Sequence, residues 1–340
     1  MIIMGIITRD IGIDLGTSTV KIYIKGKGIV LNEPSVVAIN NLTGEILCVG
    51  KQAKEMLGRT PDNIITIKPI REGVIADFNV TRNMLNMFID KVLPKSFFRK
   101  LRLVISIPYG ITDVEERAVE GVAYKTGAKD VFLIEEVMAA AIGSSINIAK
   151  AEGSMIVNIG SGTTEIAVMS LGGMVICNSI KTAGNVFDRD IVDYVKDKFN
   201  VLIAENDAEE VKKQIGCAYT MLTDEKMSIK GRSLKTGLPE TVYLTTKNIK
   251  EAINTSLLKI VKAMRETLEK TPPELSADIM QNGIIISGGC ANIKNIDKFF
   301  SEEINVPIRL AEDFENTVIK GIGATLENIA VLKKAVKTRR

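Results

Sequence analysis

One pattern occurs twice in this chain, 144 positions apart, and it restricts the possible folds more than any other feature. In the first copy Ile11, Ile13 and Leu15 alternate with other residues, Gly16-Thr17-Ser18 makes a bend, and Val20, Ile22 and Ile24 resume the alternation. That is strand, tight turn, strand. In the second copy Ile156-Val157-Asn158-Ile159 leads into Gly160-Ser161-Gly162-Thr163, and Thr164-Glu165-Ile166-Ala167-Val168 follows as a strand. A repeat of this kind indicates an internal duplication, with two lobes that each carry one hairpin. At 340 residues the chain has room for two cores.

The chemistry of the bends points toward an anion. A turn rich in Gly, Thr and Ser aims backbone N–H groups and hydroxyls outward, and Gly16 permits close approach of the backbone. Asp14, at the mouth of the first bend, is placed to hold a hydrated Mg²⁺ beside that anion. Taken singly, each hairpin also has a plainer reading, an Asx residue capping its own turn. Together they suit a polyphosphate gripped from two sides.

Composition removes several alternatives. The net charge of +3 provides no field for nucleic acid, and no basic–aromatic stripe accompanies it. With no histidine in the chain, acid–base work falls to carboxylates, hydroxyls or lysines. Cys48, Cys177, Cys217 and Cys290 are far apart in sequence and form no metal-type or redox pair, as expected in a reducing cytoplasm. The apolar run at residues 1–7 is too short to span a bilayer or act as a signal sequence.

Strands and helices alternate along the chain, which predicts an α/β fold. Short strands are expected over 29–50, a helix over 51–58, and a connection over 71–78 leading into a helix with Met84, Leu85, Met87, Phe88 and Val92 on its apolar face. A buried strand over 103–108 precedes a helix opened by Thr112, a strand over 131–134 and a crossover from Glu136 to Ile142. The second lobe adds a strand over 174–177, helices over 188–198 and 208–215, a hairpin near 230–239 and a long helix through Ile253, Leu257, Ile260, Val261, Met264 and Leu268. A buried strand over 283–287 ends in a glycine turn, Ala291 is expected to open a helix, and a final helix starts near Glu315. The expected division is 1–145 with 316–340, carrying an insert at about 29–75, and 146–315, carrying an insert at about 184–245.

These motifs, in this order, resemble the actin-type ATPases, and among them the MreB family of bacterial actins. Asp14-Leu15-Gly16-Thr17 is similar to the family's first phosphate loop, and Gly73-Val74-Ile75-Ala76-Asp77-Phe78 to its connector. Leu133-Ile134-Glu135-Glu136 with Met138-Ala139-Ala140-Ala141-Ile142-Gly143 resembles its interlobe segment, Gly160 with Gly162-Thr163-Thr164-Glu165 its second phosphate loop, and Ser287-Gly288-Gly289 its adenosine turn. The resemblance spans about residues 8–330. It implies an actin-like two-lobed fold of duplicated ribonuclease-H-like domains, ATP and Mg²⁺ as cofactors, and ATP hydrolysis. It also implies self-assembly into antiparallel double protofilaments on the inner face of the cell membrane. Cell shape is the implied role, or helicity and swimming in a wall-less bacterium, with other cytoskeletal paralogues or membrane proteins as possible partners and no nucleic acid.

Individual residues follow from that resemblance. Gly16, Thr17, Ser18, Gly160, Ser161, Gly162 and Thr163 would cradle phosphates, with Asp14 toward the metal. Lys21 is either a phosphate contact or a strand-edge surface charge. Glu115 would align the attacking water with Thr164, although Thr112-Asp113-Val114-Glu115 is also a capping box. Glu209 and Lys212 would line the adenosine, or form an i,i+3 ion pair. Gly288 and Gly289 would lie against the nucleotide, with Gly321 a weaker candidate. Phe97 and Phe98, in the cationic stretch 95–102, would enter an anionic leaflet, assisted by the basic residues near 333–340. The chain departs from the family at Asn158, where the family carries Asp. An amide keeps an acceptor but loses the charge that draws a metal's waters, so slow hydrolysis is expected. Ser161, Val137, Asn185 and Cys290 are smaller departures. The competing readings are a filament that holds nucleotide without hydrolysing it, and a small-molecule kinase of the same fold.

Overall fold

The alternation around Gly16 folds as a hairpin: strands Thr8–Leu15 and Thr19–Ile24 pair antiparallel, with Asp14 opposite Lys21 and Leu15 opposite Val20. The computed structural model describes residues 8–93, 100–219 and 223–327. It separates into two units, Met1–Lys150 with Asn316–Arg340, and Ala151–Glu315.

In unit 1 the central sheet runs in the order Gly28–Pro34, Thr19–Ile24, Thr8–Leu15, Lys100–Ile107, Ala128–Glu135. The first three strands form an antiparallel meander, and the last two run parallel to Thr8–Leu15. Unit 2 repeats this order with Gly173–Ile180, Thr164–Ser170, Ser154–Ile159, Ile284–Ser287 and Ile308–Leu310. Here too three antiparallel strands are followed by two parallel ones. The duplication read from two short motifs thus extends to whole sheets. Strands such as Leu103-Val104-Ile105 and Ile284-Ile285-Ile286 are buried along their length, as parallel strands covered on both faces must be.

Each unit also carries a small three-stranded sheet. In unit 1 it is Ile46–Val49, Val37–Asn40 and Ile64–Ile67, with the short helix Lys51–Glu55 packed through Ala53. In unit 2 it is Val201–Leu202, Lys226–Ser233 and Pro239–Thr245. The helix Phe78–Val92 starts where the Asp77 carboxylate accepts from the Val80 N–H at 2.9 Å. It buries Met84, Leu85 and Phe88 but leaves Met87 exposed. The helix Thr246–Glu269 buries Ile253, Leu257, Ile260, Val261 and Met264.

The final described helix, Thr317–Glu327, closes unit 1. A methyl group on Gly12 of the first strand would collide with Ile322, and Lys25 Nζ donates to the Leu326 carbonyl at 2.8 Å. The same helix crosses Glu136–Gly143 at backbone distance. A Cβ on Gly321 would overlap the Ala139 carbonyl, and one on Gly143 would overlap that of Thr317.

Several expected boundaries move. Ala291 lies in a single 3-10 turn, Gly289–Asn292, and the α-helix begins only at Ile296, after Asn295 in the left-handed region. The helices expected at 188 and 208 begin earlier, at Gly184 and Glu205. The helix expected over 51–58 ends at Glu55, and Gly58 has a positive φ. Helix Pro273–Asn282 and strand Ile308–Leu310 were not anticipated. The helix buries only Ile279 and the strand has three residues, so neither offers a periodic stripe.

Candidate phosphate hairpins

The two bends close in the same way. The Gly16 N–H donates to the Thr19 carbonyl at 3.1 Å, and the Gly160 N–H donates to the Thr163 carbonyl at 2.9 Å. Each bend is then braced by a neighbouring segment of its own unit. In unit 1 the Ser35 N–H donates to the Ser18 carbonyl at 2.9 Å and the Ser35 hydroxyl to the Gly16 carbonyl at 2.7 Å. Thr17 Oγ1 accepts from the Gly73 N–H at 2.8 Å, fastening the connector to the turn. In unit 2 the start of helix Gly184–Phe199 has this role, with Gly184 N–H on the Gly160 carbonyl at 3.1 Å and Asn185 N–H on the Ser161 carbonyl at 2.8 Å. Carbonyls satisfied from behind leave each turn's remaining N–H groups as its outward polarity.

Behind each bend an Asx residue meets a serine from the adjacent parallel strand. The Ser106 hydroxyl donates to Asp14 Oδ1 at 3.3 Å, and the Ser287 hydroxyl to Asn158 Oδ1 at 3.0 Å. In unit 2 the register places Asn158 directly beside Ser287. Sequence reasoning missed this pairing. Its only trace was a lone hydroxyl residue near the end of each apolar run, in Ile105-Ser106-Ile107 and Ile286-Ser287-Gly288.

Asp14 is half-buried, and burial raises its carboxyl above the usual carboxylate range, while the Lys21 charge and the Ser106 hydroxyl pull it back down. Lys21 is 6 % exposed, so the strand-edge surface charge expected as one alternative is ruled out by burial. Among the described residues no group of three or more His, Cys, Asp or Glu side chains could form a metal cage. A single carboxylate beside phosphate-seeking N–H groups fits Mg²⁺, which keeps most of its waters and takes the rest of its shell from phosphate oxygens.

Other predicted residues fall in varied places. Glu115 closes the capping box of helix Asp113–Lys125, with Oε2 accepting from the Thr112 N–H at 2.7 Å and the Thr112 hydroxyl at 2.8 Å. Thr164 is fully buried and its hydroxyl donates to the Thr182 carbonyl at 2.7 Å. Glu209 and Lys212 do not pair with each other: Glu209 bonds Lys213 one turn on. Lys212 is buried, 2.7 Å from Asp188 and 2.8 Å from the Gly184 carbonyl, which ties helix Glu205–Ile215 to the helix bracing the second bend. The expected i,i+3 pair gives way because a buried ammonium needs a buried partner.

Gly288 has φ near +90°, and a Cβ there would strike the Ile159 backbone, whereas Gly289 faces open space. The Cys290 thiol lies 3.2 Å from the Gly160 carbonyl, and burial pushes its pKa up. Gly321 serves the helix crossing in unit 1 instead of an open surface. Phe97, Phe98 and the basic residues 333–340 lie outside the described residues.

The sheet order also brings out a residue the motifs left without a role. Strands Thr8–Leu15, Lys100–Ile107 and Ala128–Glu135 are mutually parallel, so their carboxyl ends share one edge. In α/β sheets that edge is where ligands bind. Glu136, the first residue of helix Glu136–Gly143, emerges there, as does the start of helix Asp113–Lys125.

Comparison with known proteins places this arrangement. The family model described as MreB/Mbl protein matches residues 8–334. The chain is 48% identical over 326 residues to a cell shape-determining protein Mbl of Bacillus cereus, covering 96% of this chain and 98% of that one. It is 45% identical over 330 residues to the cell shape-determining protein MreB of Escherichia coli, covering 96% and 95%. A crystal structure of MreB5 of Spiroplasma citri bound to ADP superimposes with a TM-score of 0.91 at 38% identity, covering 95% of this chain and 98% of that one. A second structure of the same protein, bound to AMPPNP, gives 0.92 at 37%, covering 96% and 98%. With the twin sheets and twin bends already in view, these matches settle the classification: the fold is actin-like, and the chain belongs to the MreB/Mbl family.

Proposed function

We propose that this chain is an actin-like cytoskeletal ATPase that binds ATP with Mg²⁺ through its glycine-rich hairpins. It polymerises, organises cell shape, and sits in the cytoplasm against the inner face of the membrane. The observation that carries the proposal is the pair of matched bends, closed by the same hydrogen bond on the same strand of two identically ordered sheets. The adenine nucleotides bound to MreB5 of Spiroplasma citri supply the ligand class.

In this reading the N–H groups of Gly16-Thr17-Ser18 and Ser161-Gly162-Thr163 hold the phosphates, Lys21 adds charge, and Asp14 orients the metal's waters. Bound Mg²⁺ would neutralise charge on the phosphates. The protein's share of phosphoryl transfer is positioning and charge stabilisation. The water-orienting carboxylate is either Glu115 or Glu136. To orient water, Glu115 must give up two hydrogen bonds within its own cap. Glu209, Lys212 and the Gly288-Gly289 turn stand on the adenosine side. Thr164 positions water only as an acceptor, since its proton is committed to Thr182.

The second reading, a filament holding nucleotide without turnover, is favoured by Asn158. Loss of one charge-assisted contact is worth about 1.5–3 kcal/mol, or at least tenfold in rate. Sedimentation with and without ATP and anionic vesicles, alongside single-turnover phosphate release, tests the proposal. ATP-dependent pelleting with slow phosphate release supports it, and pelleting with no release at all selects the second reading. Absence of polymer under every condition overturns both. Among the described residues no helix is long and apolar enough to cross a membrane. In this reading vesicle binding is peripheral, and serine at Phe97 and Phe98 should abolish it.

A further inference from the structure

The amide at position 158 has a definite orientation, and this gives the second hairpin a property beyond weakened catalysis. Asn158 is 3 % exposed and stands two residues before Gly160, at the carboxyl end of its strand. Among the described residues its hydrogen-bond partner is Ser287, whose hydroxyl donates to Oδ1. Ser287 is itself fully buried and fixed on the adjacent parallel strand. With Oδ1 committed to Ser287, the NH₂ half of the carboxamide turns the other way. That nitrogen has no partner among the described residues, yet it is not one of the sealed-in unsatisfied atoms, so it opens toward solvent. Its opposite number across the hairpin, Glu165, makes no hydrogen bond to it.

We propose that Asn158, held by Ser287, donates an amide N–H directly to a nucleotide phosphate, so that this chain binds ATP with little dependence on a divalent metal. A carboxylate at this position could meet a phosphate only through a cation or its waters, because two anions in contact repel strongly in a partly buried site. An amide needs no such intermediary, and it presents a donor to an oxygen-rich ligand. Ser287 is a positioning residue here: it determines which end of the amide faces the ligand and touches no nucleotide itself. The inference rests on the nucleotide-binding reading above.

The test is the dissociation constant of ATP, measured by calorimetry in excess Mg²⁺ and again in excess EDTA. For the natural chain the affinity should fall less than about tenfold on chelation, whereas in Asn158→Asp it should fall about a hundredfold or more. Ser287→Ala frees the amide to flip and should lie between them, and Ser287→Thr, which restores the hydroxyl, should return to the natural ratio. Thermal unfolding of each variant reports whether it folds, and the natural chain's own ratio needs no variant. Binding that is tight in Mg²⁺ and vanishes in EDTA overturns this inference and leaves the nucleotide reading standing. No binding in either condition overturns both.

Discussion

The two hairpins share a backbone and differ in charge. In unit 1 the strand-end pair is Asp14 opposite Lys21, with Ser106 behind; in unit 2 it is Asn158 opposite Glu165, with Ser287 behind. Hydrogen-bond closure, sheet order and the serine support are kept in both copies, while the ionisable group toward the ligand is kept in one. Geometry and electrostatics have therefore separated: the fold preserves the cradle, and each copy's Asx residue sets what the cradle attracts.

The sharpest way to break this comparison is to make the first copy resemble the second. Asp14→Asn should weaken ATP binding in excess Mg²⁺ by up to about tenfold and leave binding in excess EDTA unchanged, read by calorimetry. The same variant should unfold at a higher temperature than the natural chain when nucleotide is absent at neutral pH. Burial raises the Asp14 pKa in the folded chain, so over the interval above its ordinary value the folded state holds a proton that the unfolded chain has released. Stability then falls as pH rises through that interval, and the ionised carboxylate is a cost that Asn removes. Below the ordinary carboxylate value the advantage should disappear. An Asn variant that melts lower at pH 7 would contradict this account.

The converse change acts on turnover. Asn158→Asp should raise single-turnover phosphate release by about tenfold, by restoring a charged contact to the metal's waters. An unchanged rate would place the limit elsewhere, and Glu115→Gln compared with Glu136→Gln would then show which first-turn carboxylate matters. The smallest effect concerns the bends themselves. An added Cβ would meet the Thr19 carbonyl at 2.8 Å from Gly16, but the Thr163 carbonyl at 3.2 Å from Gly160. Gly16→Ala should cost about 1–3 kcal/mol in denaturant unfolding and Gly160→Ala less than about 1 kcal/mol. Equal costs would mean that the second bend is as tight as the first.

Much of this was legible in the sequence, for identifiable reasons. Antiparallel hairpins are local, so alternation about Gly16 and Gly160 was enough to place them. The capping box at Thr112 was equally local, and it forms. Parallel pairing left less trace: Ser287 lies beside Asn158 because strands 129 residues apart fall into register, and no periodicity encodes that. Lys212 shows the same limit. Its spacing from Glu209 suggested a surface pair, whereas its partner Asp188 is on another helix and both side chains are buried. Departures from the family pattern remained visible throughout, but the atom that each would touch did not.

The seam between Thr317–Glu327 and the first strand has a consequence for biosynthesis. Unit 2 is continuous in sequence from Ala151 to Glu315, whereas unit 1 needs Ile322 and Leu326 to cover Gly12. On a translating ribosome the amino-terminal half therefore emerges first and finishes last. Its apolar sheet waits uncovered while the later half is made, an exception to the usual order in which the leading domain folds first. A chain cut short before residue 317 would leave a complete second half joined to a first half that cannot close.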